Sequence, residues 1–402
     1  MVDINAYTET LRTPFMKLCR LRFLNPDGTV AFIVDNGVIP SRNFERNRCF
    51  ISSGELSVNL QSGQRRSASV TFDNVNEEFS YNVNHIWFGS ELALDEGLLL
   101  PDGTEYYLPQ GIFLLSQPSE TLASNANTIT YNLLDKWANL DGTLYGNLEG
   151  AYEIPINSDP FQAIAELLAE DKGNGNPVDN LKLVNDFKTW ESIPYTVSVD
   201  ADGTLADVVT NVAETLGAVV GYDQTGRLRL EPSSDILSDS DRPVQWRFGP
   251  NDVTLLGLTY DIKNEEVFND YIVLGEELSD GSQPSARVQN VDPKSPTNVN
   301  LIGRKTKRET SSGYGTHQQC LDLAMWRLKR ATVLSKAVNI SASQIFHLQE
   351  NQLVEIIRED KEDTPIERHL VQGFSRPLAT TGAMTISAIS TVDIPEFTVV
   401  EL

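Results

Sequence analysis

The stretch from Thr204 to Leu230, TLADVVTNVAETLGAVVGYDQTGRLRL, sets the reading of the whole chain. The Thr204 hydroxyl can accept the unpaired N–H groups of a helix start, and Asp207, three residues on, reaches back to complete a capping box. Leu205, Val208, Val209, Val212 and Leu216 then fall on one face at helical spacing, and Gly217 follows as a C-terminal stop. Directly after it, Ala218–Tyr222 and Arg227–Leu230 are β-prone runs on either side of Asp223-Gln-Thr-Gly226, a turn whose glycine can take positive φ. The unit is an amphipathic helix feeding a hairpin. It cannot bury its apolar face alone, so it has to dock on another part of the chain. It dictates architecture and carries no chemistry of its own.

Working outward toward the N-terminus, the residues from Leu18 to about Asp135 read as consecutive short strands: LCRLRFL, TVAFIV, ELSVNL, RSASVTF, EYYL, GIFLLS and NTITYNLL, several with period-two alternation. Asn25-Pro-Asp-Gly28, Gln61-Ser-Gly-Gln64 and Pro101-Asp-Gly103 punctuate them as turns. Helical grammar takes over at Asp159, with Pro160 in the first turn, Gln162 completing the box and a stripe of Phe161, Ile164, Leu167 and Leu168. Beyond the hairpin, Ser233–Pro243 reads as a polar linker, and strand grammar returns in VTLLGLTY and NDYIVLG. Glu276–Asn300, polar and carrying three prolines, reads as an extended loop. Thr316 and Gln319 open another helix with Leu321, Ala324, Met325 and Leu328 inward. KAVNIS, LVEIIR, HLVQGF and MTISAIS follow as strands. The expected layout is mainly β with an α/β insertion (α+β): two related β-barrel domains separated by a small helix-plus-hairpin region. Its boundaries are 1–140 for the N-terminal β-barrel, 141–240 for the insertion, and 241–402 for the second barrel with an embedded helix at 316–334.

Composition bounds the function classes. A chain of 402 residues with 40% hydrophobic and 22% charged content can bury real cores. No run approaches the ~18 apolar residues of a membrane span, and the N-terminus lacks the apolar segment of a signal peptide. The formal charge of −24 argues against a general nucleic-acid binder, which needs clustered Lys and Arg to neutralise phosphates. Cys19, Cys49 and Cys320 are odd in number without CxxC spacing, so reduced buried thiols and synthesis in a cytoplasm are expected.

No residue pattern announces catalysis, and no catalytic, cofactor or metal site is assigned. His85, His317, His347 and His369 are isolated, without the i, i+4 pairing of a zincin. There is no GxSxG elbow, Walker loop or GxGxxG. The DGT triplets at Asp27, Asp102, Asp141 and Asp202 lack the alternating ligands of a calcium loop and read as turns or helix entry. The pairs Glu265-Glu266 and Glu276-Glu277 fit a solvated acidic surface. Trp87, Trp137, Trp190, Trp246 and Trp326 are dispersed within element-like segments, which favours core packing over an exposed sugar-binding cluster. One compact basic run stands out, Arg304, Lys305, Lys307 and Arg308. It reads as an ion-paired or solvated strand, or as a contact to an acidic neighbouring subunit or passing DNA. Arg65-Arg66 poses the same alternatives on a smaller scale.

Taken in order, GTLADVVTNVAETLGAVVGYDQTGRLRLEP, NDYIVLG, SPTNVNLIGRKTKRE, AMWRLKRATVLSKAVNIS, HLQENQLVEI and GAMTISAIS resemble the hub proteins of phage tails and baseplates, those of contractile tails in particular. GELSVNLQSGQRRSASVTFDN is similar to the first barrel of such hubs. The resemblance implies a virion structural protein without enzymatic activity, assembled in the host cytoplasm. It implies a homotrimeric ring whose six barrels match a six-fold tail tube and whose other face offers three-fold symmetry to a central spike, with DNA passing through the lumen without specific binding. Tail tube or distal tail proteins, the spike and the tape measure protein are the partners that follow. The tail-tip hub of a non-contractile phage, or a contractile bacteriocin hub, is the neighbouring alternative. A peptidoglycan hydrolase is the rival from another class, and since the chain reaches Leu402 soon after its last β run, lytic activity is expected in a separate partner.

Overall fold

A computed structural model describes residues 4–38, 50–74, 77–81, 83, 84, 86–123, 126–232, 242–250, 252–261, 267–275, 277, 281–310, 314–334, 337–358, 366–379, 381–390 and 397–400. Cys49, His85, Glu265, Glu266, Glu276 and residues 233–241 of the expected linker lie outside them. After helix α1 (Ile4–Leu11), the first β region holds β1 (Met16–Leu24), β2 (Val30–Asp35), β3 (Ile51–Asn59), β4 (Arg66–Asp73), β5 (Glu91–Leu99), β6 (Glu105–Ala123) and β7 (Ala126–Asp135). The insertion holds β8 (Tyr152–Ile154), α2 (Pro160–Leu168), β9 (Val184–Asn185), β10 (Val197–Val199), α3 (Leu205–Thr215), β11 (Ala218–Tyr222) and β12 (Leu228–Pro232). Then come β13 (Val244–Phe248), β14 (Leu255–Asp261), β15 (Asp270–Leu274), β16 (Ser285–Asn290), α4 (Val299–Ile302), β17 (Thr306–Thr310), α5 (His317–Leu334), β18 (Ala337–Ala342), β19 (Leu353–Ile357), β20 (Ile366–Pro377), β21 (Met384–Ser390) and β22 (Phe397–Val400). The class is mainly β with an α/β insertion, as expected from sequence.

The turns that divide the early strands are built by the DGT triplets. Gly28 and Gly103 adopt φ of 80° and 84°, where a side chain would strain the backbone. Asp27 and Asp102 accept the N–H groups of Thr29 and Thr104 at 2.9 and 2.8 Å. The Thr29 hydroxyl and N–H hold the Asp27 carboxyl below the usual carboxylate range, and the Thr104 N–H and hydroxyl do the same for Asp102. Two features of this region differ from the sequence reading. EYYL and GIFLLS are one 19-residue strand, β6. Its partner β5 carries Asp95 and Glu96, which interrupt the apolar pattern and hide the strand in the sequence, yet both are buried.

Among the described residues, both β regions share a single 13-stranded sheet whose path does not close on itself. The join is antiparallel pairing of β20 with β3, Gly373–Pro377 against Asn59–Glu55. The two halves repeat one topology. In the first, the spatial order is β3-β4-β7-β6-β5-β1; in the second it is β14-β18-β21-β20-β19-β13, the same chain order in the same places. The pair β1–β5 is antiparallel whereas β13–β19 is parallel. One hydrophobic core spans both halves, from Tyr7 and Leu21 through Phe113 and Tyr131 to Phe248, Phe346 and Phe374.

The insertion forms as its grammar dictates. Asp159 caps α2 through the N–H groups of Phe161 and Gln162, and Phe161, Ile164, Leu167 and Leu168 are all buried. The Thr204–Asp207 capping box closes α3, burying Leu205, Val208, Val209 and Val212, with Leu216 half-buried. The hairpin β11–β12 then docks on the first β half at two glycines. A Cβ on Gly226, at φ 75°, would lie 2.6 Å from Ile112 Cβ, and one on Gly221 would lie 2.5 Å from Arg65 Nε. These close approaches fix where the helix-hairpin unit sits.

Part of the second β region packs elsewhere. β17, β15, β16 and β22 make a separate four-stranded sheet covered by α5, with its own core around Tyr271, Val273, Val288, Cys320, Ala324 and Leu328. β16 lies within the stretch read as an extended loop. Its polar residues alternate with buried Ala286, Val288 and Asn290, and Arg287 pairs with Asp270, so alternation decides over composition. The Thr316–Gln319 box forms at the start of α5, but the buried stripe is Cys320, Ala324, Leu328 and Ala331; Met325 is 40% exposed.

Candidate assembly surfaces and the junction between the β halves

The strongest concentration of chemistry is a buried ionic network across the join of the two halves. Glu96 on β5 accepts from Arg376 Nε at 2.7 Å and meets Lys17 Nζ of β1 at 2.6 Å. Arg376 Nη2 donates to Gln110 Oε1 on β6 at 2.6 Å, and its Nη1 to the Ile345 carbonyl at 3.0 Å. Arg66 on β4 donates to Gln349 Oε1 at 2.9 Å, to the Gln110 carbonyl at 3.1 Å and to Glu350. Lys17, Arg65, Arg66, Glu96 and Arg376 are each almost completely buried. Burial depresses the Lys17 ammonium, partly offset by Glu96. For Glu350 burial acts upward, but the Arg66 and Arg65 guanidiniums outweigh it and hold the carboxyl below its usual range. Arg65-Arg66 is therefore neither a solvated surface nor a contact to DNA. Sequence alone could not show this, because the partners lie some 280 residues away in the chain.

The larger basic run behaves otherwise. It starts beside the exposed Leu301 and Ile302 of α4 and runs along β17, which among the described residues has a sheet neighbour on one side only. Lys305 N–H donates to Asn269 Oδ1 at 2.8 Å, and Lys307 Nζ sits 5.1 Å from the Phe268 ring centre. Arg304, Lys307 and Arg308 are exposed, and among the described residues none of the three forms an ion pair within the chain. Lys307 and Arg308 line a groove of about 1050 Å³ between β17, α5 and the outer faces of β3, β20 and β21. A second cavity of about 780 Å³, between α3 and α5, shares Gln61, Glu309, Arg327, Gln372 and Ile389 with it. Glu309 accepts from both Tyr271 and Arg327 at the meeting point.

The tryptophans divide. Trp137 and Trp246 are buried, whereas Trp87 is 46% exposed and Trp190 is also exposed. Trp87 stacks on Tyr81 with ring centres 4.1 Å apart, beside Phe88, so a cluster of exposed rings stands on the segment between β4 and β5 where sequence favoured core packing. That segment is held by Asn74, which accepts the Phe79 N–H at 3.0 Å.

The remaining residues singled out from sequence make local contacts. Cys19 and Cys320 are free and buried. His347 receives or gives a 3.1 Å hydrogen bond with Tyr7 Oη, His369 is buried beside Glu367, and His317 Nδ1 lies 2.6 Å from the Ser285 carbonyl. Asp141 accepts the Thr143 N–H, and Asp202 precedes the cap of α3. Among the described residues no group of three His, Cys, Asp or Glu could hold a metal ion, and no helix is long and apolar enough to cross a membrane.

No family model and no curated protein matches the sequence. Solved structures do match in fold. The prophage MuSo2 43 kDa tail protein from Shewanella oneidensis superposes with a TM-score of 0.62 at 12% identity, over 93% of this chain and 98% of that one. The tail protein from Neisseria meningitidis MC58 gives 0.63 at 10% identity, over 94% and 98%. The Escherichia coli c3393 protein, a type VI secretion component described as structurally similar to T4 tail proteins gp27 and gp5, gives 0.51 at 10% identity, over 86% and 75%. The resemblance read from sequence thus holds at the level of fold: this chain is built like the structural proteins of phage tails.

Proposed function

We propose that the chain is the structural hub of a phage tail baseplate. Three copies form a ring that adapts a six-fold tail tube to a three-fold central spike and surrounds the DNA path. The observation that carries this reading is the repeated topology of the two β halves, fused through β3–β20 and locked by buried charges. A chain that presents the same β unit twice offers six units from three copies, which is the symmetry match an adaptor needs. The divisions at 140 and 240 then separate the ring-forming halves from an α/β insertion on their flank. The net charge of −24 suits a lumen that repels phosphates and lets DNA pass. Partners follow as tube or distal tail proteins on one face and a spike on the other, with the tape measure protein inside, in a virion assembled in the host cytoplasm. The chain itself does no bond chemistry.

The test is co-assembly. The purified chain is mixed with the tube and spike proteins encoded beside it and viewed by electron microscopy. Three-fold rings capping tube ends are expected; failure to join either partner would overturn the reading.

A further inference from the structure

We infer that copies of this chain join head to tail by repeating, between chains, the strand pairing that joins the two β halves within one chain. The inference rests on the ring reading above. The equivalence of the halves can be followed residue by residue. At β20, Val371 exchanges backbone hydrogen bonds with Asn351 and Gln352 at 2.8 and 3.0 Å, the register with β21 then skips Gln372, and Gly373–Pro377 pairs with β3. Leu60 N–H adds a bond to the Gln372 carbonyl at 2.7 Å. At β6, Leu115 makes the same two bonds with Gly89 and Ser90 at 2.9 and 3.0 Å, and the register with β7 skips Ser116. Gly89 and Asn351 even share positive φ, 76° and 59°.

Beyond this bulge the halves differ in one respect. The continuation of β20 is paired with β3, whereas the continuation of β6, Gln117–Ala123, has no described strand on the side opposite β7. The counterpart of β3 is β14: the β3–β4 register skips Ser52, and the β14–β18 register skips Leu256. β14 ends the sheet, with β18 on one side and no described strand on the other. Each half thus lacks the partner that the other half type would supply. Both edges are long and carry exposed apolar side chains, Leu122 at 70% and Leu256 at 61%, which soluble proteins cover.

The internal join sets the register. Glu55, Leu56 and Ser57 lie opposite Pro377, Arg376 and Ser375. The equivalent pairing places Thr259, Tyr260 and Asp261 of one copy opposite Thr121, Glu120 and Ser119 of the next. Such a contact uses different patches on its two sides, so it continues around a ring until the ring closes.

The experiment is register-specific cross-linking in a Cys49→Ser background, since Cys19 and Cys320 are buried. Directly opposite antiparallel residues have Cα atoms about 4.5–5.5 Å apart, inside the span a disulfide bridges. Chains carrying Thr259→Cys and Thr121→Cys are mixed and oxidised, with Thr259→Cys plus Leu122→Cys as the control that faces the wrong way. The expected result is covalent dimer at least about tenfold above that control, and a ladder ending at three chains when one chain carries both changes. No excess over the control, while light scattering still reports a three-chain mass, overturns this interface and leaves the ring standing. A ladder running past three overturns closure. A mass of one chain at every concentration removes the ring reading itself.

Discussion

Replacing Glu96 by glutamine keeps the side-chain shape and removes the one charge that faces both Lys17 and Arg376. All three groups are out of water, with contacts of 2.6 Å to Lys17 Nζ and 2.7 Å to Arg376 Nε. Removing one partner of a buried ion pair leaves the other charge uncompensated and costs about 3–5 kcal/mol. Two cations are orphaned here, but the shares do not double. Lys17, already depressed by burial, can release its proton, and Arg376 keeps Gln110 and the Ile345 carbonyl. About 3–5 kcal/mol is therefore the expected loss for Glu96→Gln. Adding Lys17→Met should recover part of it, because one orphaned cation disappears. The contrast is Arg247→Gln. Arg247 is 57% exposed and shares Glu355 with Arg368, so its loss should cost no more than about 1 kcal/mol. The assay is the urea midpoint followed by β-sheet circular dichroism. A Glu96→Gln chain within about 1 kcal/mol of the parent would refute the view that these charges clamp the two halves.

Other consequences concern the docking of the insertion and the response to pH. Gly226→Ala should destabilise by about 1–3 kcal/mol, since the new methyl meets Ile112 in a backbone of φ 75°, and limited proteolysis should then release the insertion first. Burial lowers the pKa of both His347 and His369, so the unfolded chain takes up protons that the fold refuses. Their share of stability is full above about pH 6.5 and is lost as the pH falls below it. Asp135, pushed up to about 7 by burial, acts in the opposite sense, because its protonation favours the fold. The histidine share is consequently read as the difference between the parent and a His347→Asn/His369→Asn chain in urea midpoints at pH 7.5 and 5.5. The variant should show a smaller acid-induced drop, and equal drops would count against the assignment.

Local grammar was legible where neighbours in sequence are partners in structure. The capping boxes at Thr204 and Thr316, the Asp159 cap and the DGT turns could be read directly because each closes within four residues. Hidden features depend on distant residues. β5 contains Asp95 and Glu96, polar by composition and buried only because Arg20, Arg22, Lys17 and Arg376 come to meet them. Arg65 and Arg66 mislead for the same reason. On α5, Cys320 is buried as a reduced thiol should be, but Met325 turns outward because the face that meets the sheet runs through Cys320, Ala324, Leu328 and Ala331. The edges we propose for assembly, that of β14 and the end of β6, look like ordinary amphipathic strands in sequence. Their meaning appears once the repeat of the two halves is aligned.

The measurement that bears most directly on the account is the mass of the purified chain by light scattering across the widest concentration range it tolerates. The account predicts a plateau at three chains of 44.6 kDa with no higher species. A mass that remains at one chain throughout, or that grows without a plateau, would contradict it.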